Sequence, residues 1–149
     1  MSRIVVLDSA PLGLLTAPPR KPSVQRCCAW LASHMAAGTR IILPEIIDYE
    51  LRRELLRIGS TRGIGLLDSL AATLEYLPLA TPAMRLAAEL WAKARQQGLL
   101  TAGDSELDVD VILAAQALCL RSPYVIVATT NVGHLARFVA ADDWERILP

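Results

Sequence analysis

The sequence predicts an α/β fold: a three-layer α/β/α sandwich around a central parallel sheet of four to five strands. Three observations predict it. Short continuous apolar runs, IVVL at residues 4–7 and YVIVA at 124–128, have the length and composition of strands buried on both faces. Segments with helical spacing of apolar residues alternate with those runs. Acidic residues stand where several runs end, and an open parallel sheet places its ligands at that carboxyl edge.

Taking the elements in order, Ile4 to Leu7 is strand one and Asp8 ends it, with Ser9 offering a hydroxyl at the same edge. On its own, Asp8 is as well explained as a cap for the next turn, DSAPLGLL. Thr16 to Ser23 carries three prolines and reads as a loop. Ser23 is the expected N-cap of a helix with Cys27, Trp30, Leu31 and Met35 on its buried stripe, ending at Gly38. In that helix His34 is expected to be partly exposed. Thr39 to Leu43 is strand two. Pro44 and Glu45 open the next helix, Pro early in its first turn. Ile46, Ile47, Leu51, Leu55 and Ile58 trace its core stripe, and Glu50 lies beside that stripe. Ser60 to Ala72 forms another helix. Leu74 to Leu79 is a weak third strand, placed at the sheet edge by Pro78. Thr81 caps a helix that carries Pro82 at its first position and stops at Gly98. Tyr124 to Ala128 is the fourth strand and Trp144 to Leu148 a candidate fifth.

Composition narrows the functional classes. At 149 residues the chain is long enough for one domain, spanning 1–149, with a proper core. Mean hydropathy is high, +0.37, yet no apolar run approaches the about 18 residues of a membrane span. The start, MSRIVVLDSAP, does not read as a signal peptide. Three cysteines, Cys27, Cys28 and Cys119, form no CxxC pair, and neighbouring Cys27 and Cys28 face different sides of a helix. Core packing explains them better than a disulfide or a zinc site. The expectation is a reduced, cytoplasmic protein with no membrane partner. Fifteen basic residues balance fifteen acidic ones, so a polyanion would meet a local basic patch and not a general positive field.

The stretch from Gly103 to Leu118, GDSELDVDVILAAQAL, carries the chemistry. Ala114, Ala115 and Ala117 let its helix approach a sheet closely. Glu106, Asp108 and Asp110 precede that small-residue run, and Asp110 is expected in the first helical turn, where the helix dipole favours negative charge. Asp108 and Asp110, with Asp8 after strand one, Glu50 after strand two and Asn131 after strand four, are expected to meet at one sheet edge. Such an oxygen-rich set, without His or Cys, suits Mg²⁺ (or Mn²⁺) and does not suit zinc.

At these residues the chain resembles the PIN-domain family, in particular the VapC-type toxin ribonucleases of toxin–antitoxin pairs. The resemblance spans essentially the whole chain. It rests on VVLDS around Asp8, LPEIIDYELRREL around Glu50, DVDVILAAQAL around Asp110 and VATTNVGHL around Asn131, which are specific in combination and weak singly. It implies a PIN-like fold in which Asp8, Glu50 and Asp110 are catalytic and hold the metal. It further implies metal-assisted hydrolysis of RNA phosphodiesters, with a cognate antitoxin and a homodimer as expected partners. Many members carry a further Asp where this chain has Asn131, whose carbonyl oxygen can still ligate a metal without charge. Asp108 is either a compensating ligand or a helix cap. His134 is expected to be structural. Arg52, Arg53, Arg57 and Arg62 are candidates for gripping RNA, with Ser9 at the cleft edge; salt bridging within their own helices is the competing explanation.

Two other readings stand beside this one. A phosphotransferase of the haloacid dehalogenase type also begins with an Asp after strand one, but it needs a second Asp where this chain has Ala10. A non-catalytic PIN-like module, binding RNA or protein through a weakened metal site, is compatible with Asn131.

Overall fold

The computed structural model describes residues 3–98 and 104–149. Gly103, the first residue of the acidic stretch, lies outside them. Among the described residues the strands are β1 (Ile4–Leu7), β2 (Arg40–Pro44), β3 (Glu75–Leu77), β4 (Val125–Thr129) and β5 (Ala141–Asp143). They form one sheet in the order β3-β2-β1-β4-β5, with every pairing parallel. Successive residues of a strand point to opposite faces. All four residues of β1, and Ile41 to Pro44 of β2, are buried, so helices cover both faces. β3, with Pro78 just beyond it, is the edge strand that the proline predicted.

The order reverses at β1. β2 and β3 are added on one side of it, β4 and β5 on the other. Connections that leave β1 and β4 in opposite directions open a crevice at the carboxyl ends of these two strands.

The helices are α1 (Ser9–Leu15), α2 (Pro22–Ala36), α3 (Glu45–Arg57), α4 (Thr61–Thr73), α5 (Thr81–Gln96), α6 (Asp104–Leu118) and the single turn α7 (Val132–Leu135). α1 is a helix where the sequence suggested a turn, and Asp8 caps it by accepting from Ser9 N. α2 starts one residue before Ser23: Pro22 takes the first position, as its locked φ favours, and Lys21 precedes it without a side-chain cap bond. Pro44 ends β2 opposite Leu77 instead of opening α3. Thr81 is the first residue of α5, after Ala80 at the cap position. Gly98, at φ +70°, ends α5 in the left-handed region that favours glycine.

Two stripe assignments change. On α2 the buried stripe is Val24, Cys27, Trp30, Leu31 and His34, while Met35 is 46% exposed. On α3 the stripe ends at Leu55, and Ile58 lies beyond the helix end, exposed. Cys27 is buried, and burial, followed by the neighbouring Cys28, pushes its thiol up to about 12, so it is an inert packing residue. No helix of the described residues is long and apolar enough to cross a membrane.

The last strand is Ala141–Asp143, not the Trp144 segment. Asp143 accepts from Glu145 N and turns the chain into a single 3₁₀ turn, Trp144–Arg146. Trp144 and Ile147 then fold inward against α2. The carbonyl of Ile147 accepts from Trp30 Nε1 at 2.8 Å and from His34 Nε2 at 2.7 Å. His34 Nδ1 takes the Thr39 hydroxyl at 3.0 Å. His34 is therefore fully buried and satisfied at both nitrogens, where the sequence suggested partial exposure.

His34→Phe keeps the ring volume and removes both hydrogen bonds inside the core. It is expected to destabilise the protein by about 1–3 kcal/mol, with Thr39→Val costing less because one bond is lost. Urea unfolding of the three proteins measures this. Superimposable midpoints would mean that the buried His34 contacts contribute nothing.

Candidate active site

The crevice at the carboxyl ends of β1 and β4 is a cleft of about 320 Å³ lined by Asp8, Ser9, Ala10, Glu50, Glu106, Asp110, Thr130, Asn131 and His134. The acids arrive on three supports, the end of β1, α3 and α6.

Asp8 leaves β1 with both carboxylate oxygens engaged. Oδ1 accepts from Ser9 N at 2.7 Å and Oδ2 from the Thr129 hydroxyl at 2.6 Å. Thr129 Oγ1 in turn accepts from Asn131 N at 2.8 Å. A carboxylate oxygen has two lone-pair directions, so each oxygen retains capacity for one further partner. Asp8 is thus at once the helix cap and a cleft residue; the two readings of it do not compete.

Glu50 is half-buried on α3. Its helix is held by bonds that flank it. Asp48, buried, accepts from Arg52 Nε at 2.9 Å and from the Tyr76 hydroxyl at 2.6 Å, and Arg52 Nη1 reaches Asp68 of α4 at 2.8 Å. Burial, then the Asp48 carboxylate it donates to, holds the Tyr76 hydroxyl well above its ordinary pKa. The Gln116 carboxamide on α6 receives Ile46 N at 3.3 Å and donates to Leu77 O at 3.0 Å. Glu45 Oε1 accepts from Leu79 N at 2.7 Å. These bonds set α3 against α6, and so Glu50 against Asp110.

Asp110 lies in the second turn of α6, because the helix begins at Asp104 and not beside Asp110. It is half-buried. Burial, then the charges of Asp8, Glu50 and Glu106, push its carboxyl up from 3.8 to about 6; Arg137 pulls the other way. Glu106 stands one turn earlier, at the i, i+4 spacing that shares a helix face. That spacing was visible in the sequence, which singled out Glu106 without giving it a place in the site. Asp108, two residues from Asp110, points about 200° around the helix. It is exposed and lines a separate groove with Met84 and Trp91 of α5. Because α6 starts at Asp104, Asp108 is not the N-cap either.

Asn131 is exposed at the cleft mouth, where its Nδ2 donates to His134 Nδ1 at 3.0 Å. His134 lines the cleft, near the site as the resemblance implied. Arg137 was not foreseen at all; its Nε donates to His134 O at 3.0 Å, and only the folded chain brings its charge near Asp110. Ala10 lines the cleft near Asp8, where the haloacid dehalogenase chemistry needs an acid. Of the candidate RNA-contacting residues, Ser9 lines the cleft. Arg57 pairs with Glu54 and Arg52 with Asp48 and Asp68. Arg53 is exposed with its guanidinium 5.1 Å from the centre of the Tyr49 ring, and Arg62 is exposed at the start of α4.

The donor set of the cleft, carboxylates with one amide and one imidazole, fits a hard divalent cation that keeps most of its water. As the side chains stand, no three His, Cys, Asp or Glu of the described residues form a group that could hold a metal ion. The acids line one cleft without closing on one point, so the fit is to a hydrated ion held through one or two carboxylates, not to a closed cage.

No protein-family model matches the chain, and no curated protein matches it in sequence. Solved structures do match its fold. One chain of FitAcB from Neisseria gonorrhoeae superposes with a TM-score of 0.71 at 21% identity, covering 96% of this chain and 99% of that one. VapBC2 from Rickettsia felis, bound to a DNA fragment from its promoter, gives 0.70 at 18% identity, covering 95% and 98%. VapBC-1 from nontypeable Haemophilus influenzae gives 0.68 at 19%, covering 96% and 99%. At these identities the likeness is one of fold: the parallel five-stranded α/β architecture is consistent with the PIN-like fold expected from the sequence.

Asp110 makes stability depend on pH. Its folded pKa, about 6, lies above its ordinary 3.8, so the folded state holds the proton more tightly than the unfolded chain. The resulting stabilisation is present at low pH and is lost as pH rises through 6. Measured without metal, Asp110→Asn should lack this loss. Its stability relative to the parent should rise between pH 4 and pH 7 in urea unfolding. Parallel pH curves for the two proteins would show that neither burial nor the neighbouring acids raise the Asp110 carboxyl in the folded state.

Proposed function

We propose that the chain is a metal-dependent endoribonuclease that hydrolyses RNA phosphodiester bonds, acting as the toxin of a type II toxin–antitoxin pair. One observation carries this reading. Asp8, Glu50, Glu106 and Asp110 line a single cleft at the switch point of a parallel sheet, and burial, followed by the charges of the other three acids, raises Asp110 to about 6. Acids concentrated against their own repulsion call for a cation. The resemblance to VapC-type toxins at Asp8, Glu50 and Asp110, and the likeness of fold to chains of VapBC and FitAcB structures, support the toxin context. On the same grounds we propose a small antitoxin protein and a second copy of this chain as partners, in the cytoplasm.

In this proposal Asp8, Glu50 and Asp110 would hold Mg²⁺ or Mn²⁺, with Glu106 in the same cleft. When bound, the ion supplies an acidified water and positive charge against the phosphate being cleaved. The protein's share is orientation. Thr129 and the Ser9 amide fix the Asp8 carboxylate, leaving each oxygen capacity for one further partner. The Gln116 and Asp48 bonds keep Glu50 opposite Asp110. The Asp110 carboxyl, raised to about 6 by burial and its acidic neighbours, would have to be ionised to hold the ion.

One observation favours the alternative of a non-catalytic binding module: the acids do not close into a group able to hold an ion. Cleavage of RNA by purified protein with Mn²⁺, abolished by chelation, separates the two. Asp8→Asn, Glu50→Gln and Asp110→Asn should each remove that activity while the protein stays folded. Mn²⁺ should also stabilise the parent by about 2.7 kcal/mol at roughly a hundredfold excess over its dissociation constant, and Asp8→Asn less. A parent that never cleaves, and melts identically across a wide Mn²⁺ titration, would leave the binding-module reading.

A further inference from the structure

The cations of α3 are not equivalent. Arg52 is committed to Asp48 and Asp68, and Arg57 to Glu54. Arg53 makes no salt bridge among the described residues; its guanidinium lies over the Tyr49 ring, 5.1 Å from the centre. Tyr49 is 55% exposed, although a Tyr of this size has nothing to gain from water on its ring face. Arg53 and Tyr49 are four residues apart, so they share one helix face. Tyr49 is also the residue immediately before Glu50, which lines the acidic cleft.

A carboxylate-lined cleft offers nothing to the apolar face of a nucleobase and repels phosphates. A strand lying across it needs a stacking surface and a cation just outside. Tyr49 offers a flat aromatic surface, and Arg53, stacked on it, offers a planar cation with N–H donors for a phosphate oxygen. An aromatic ring can stack only on a base that is not already stacked and paired, so the surface selects single-stranded nucleic acid. We propose that Tyr49 and Arg53 form a base-stacking platform that takes an unpaired base of the substrate strand beside the acidic cleft. This rests on the reading of the protein as a ribonuclease, and it names the single-stranded substrate class and the residue that grips it.

The test is binding without cleavage. Fluorescence anisotropy of the full chain with a labelled single-stranded oligoribonucleotide, in chelator at low salt, measures affinity independently of any metal. Tyr49→Phe should bind as the parent does, while Tyr49→Ala and Tyr49→Leu should bind about tenfold more weakly, the scale of one lost base–aromatic stack. An abasic nucleotide moved along the oligomer should weaken the parent at one position and make no difference at that position in Tyr49→Ala. Duplex RNA should bind parent and variants alike. Undiminished binding by Tyr49→Ala and Tyr49→Leu, or an abasic effect that survives in them, would overturn the platform. So would a sedimentation shift from dimer to monomer with RNA affinity unchanged, which would give the Tyr49 face to a second copy. A parent that binds in this way but never cleaves with Mn²⁺ would leave the platform standing and sink the ribonuclease reading.

Discussion

The hydrogen bond from the Thr129 hydroxyl to Asp8 Oδ2 joins the ends of β1 and β4, the two strands between which the sheet changes direction. Much of the cleft depends on it. The same hydroxyl receives Asn131 N, which sets the turn into α7 and brings Asn131 and His134 to the cleft mouth. The other Asp8 oxygen starts α1. One carboxylate therefore organises three segments that have no local reason to meet. It does so while largely buried, where an ionised group is tolerated only if its hydrogen bonds are satisfied.

The acids work against the fold that holds them. Burial of a carboxyl, and then the like charges beside it, disfavour the ionised form in the folded chain, and both raise the Asp110 carboxyl. What offsets this lies a layer deeper. Asp48, Arg52, Tyr76 and Gln116 lash α3 to α4, β3 and α6 with hydrogen bonds, and the apolar core packs beneath. The strain is carried by charge and the rigidity by neutral or paired groups, an arrangement suited to a site that becomes comfortable only when a counter-charge enters.

Much of the fold was legible because its strands are unambiguous. IVVL forms β1 entire, and YVIVA forms β4 one residue later than expected, with Tyr124 left exposed before it, while the edge position of β3 followed from Pro78. Boundaries were less legible where two signals competed. Ser23 looked like a cap, but Pro22 is better suited to the first helical position. The WERIL segment had a strand's composition, but Asp143 turned the chain into a 3₁₀ turn and sent Trp144 into the core. His34 misled because its neighbours set an incomplete stripe; the residue that satisfies it, Ile147, is 113 positions away. In the site, Asp8, Glu50 and Asp110 were readable from their places after or before strands, and the structure brings them to one cleft. Asp108, left open in the sequence between ligand and helix cap, is neither a cap nor a cleft residue, because α6 begins four residues earlier, at Asp104. Arg137 carried no local signal, since its influence on Asp110 exists only across the folded chain.

β1 is made first yet lies in the middle of the sheet. Its partner on one side, β2, follows within about forty residues, but on the other side Ile4 pairs with Val125, and Asp8 must find Thr129 across 121 positions. Contacts of such separation close slowly, because the intervening loop must be ordered before they return anything. On a ribosome, the first two strands can associate while α6 and β4 are still unmade, and nothing resembling the finished cleft exists until they emerge. The chain is thus chemically incomplete throughout its own synthesis, and its assembled carboxylates become available in one late step rather than by degrees.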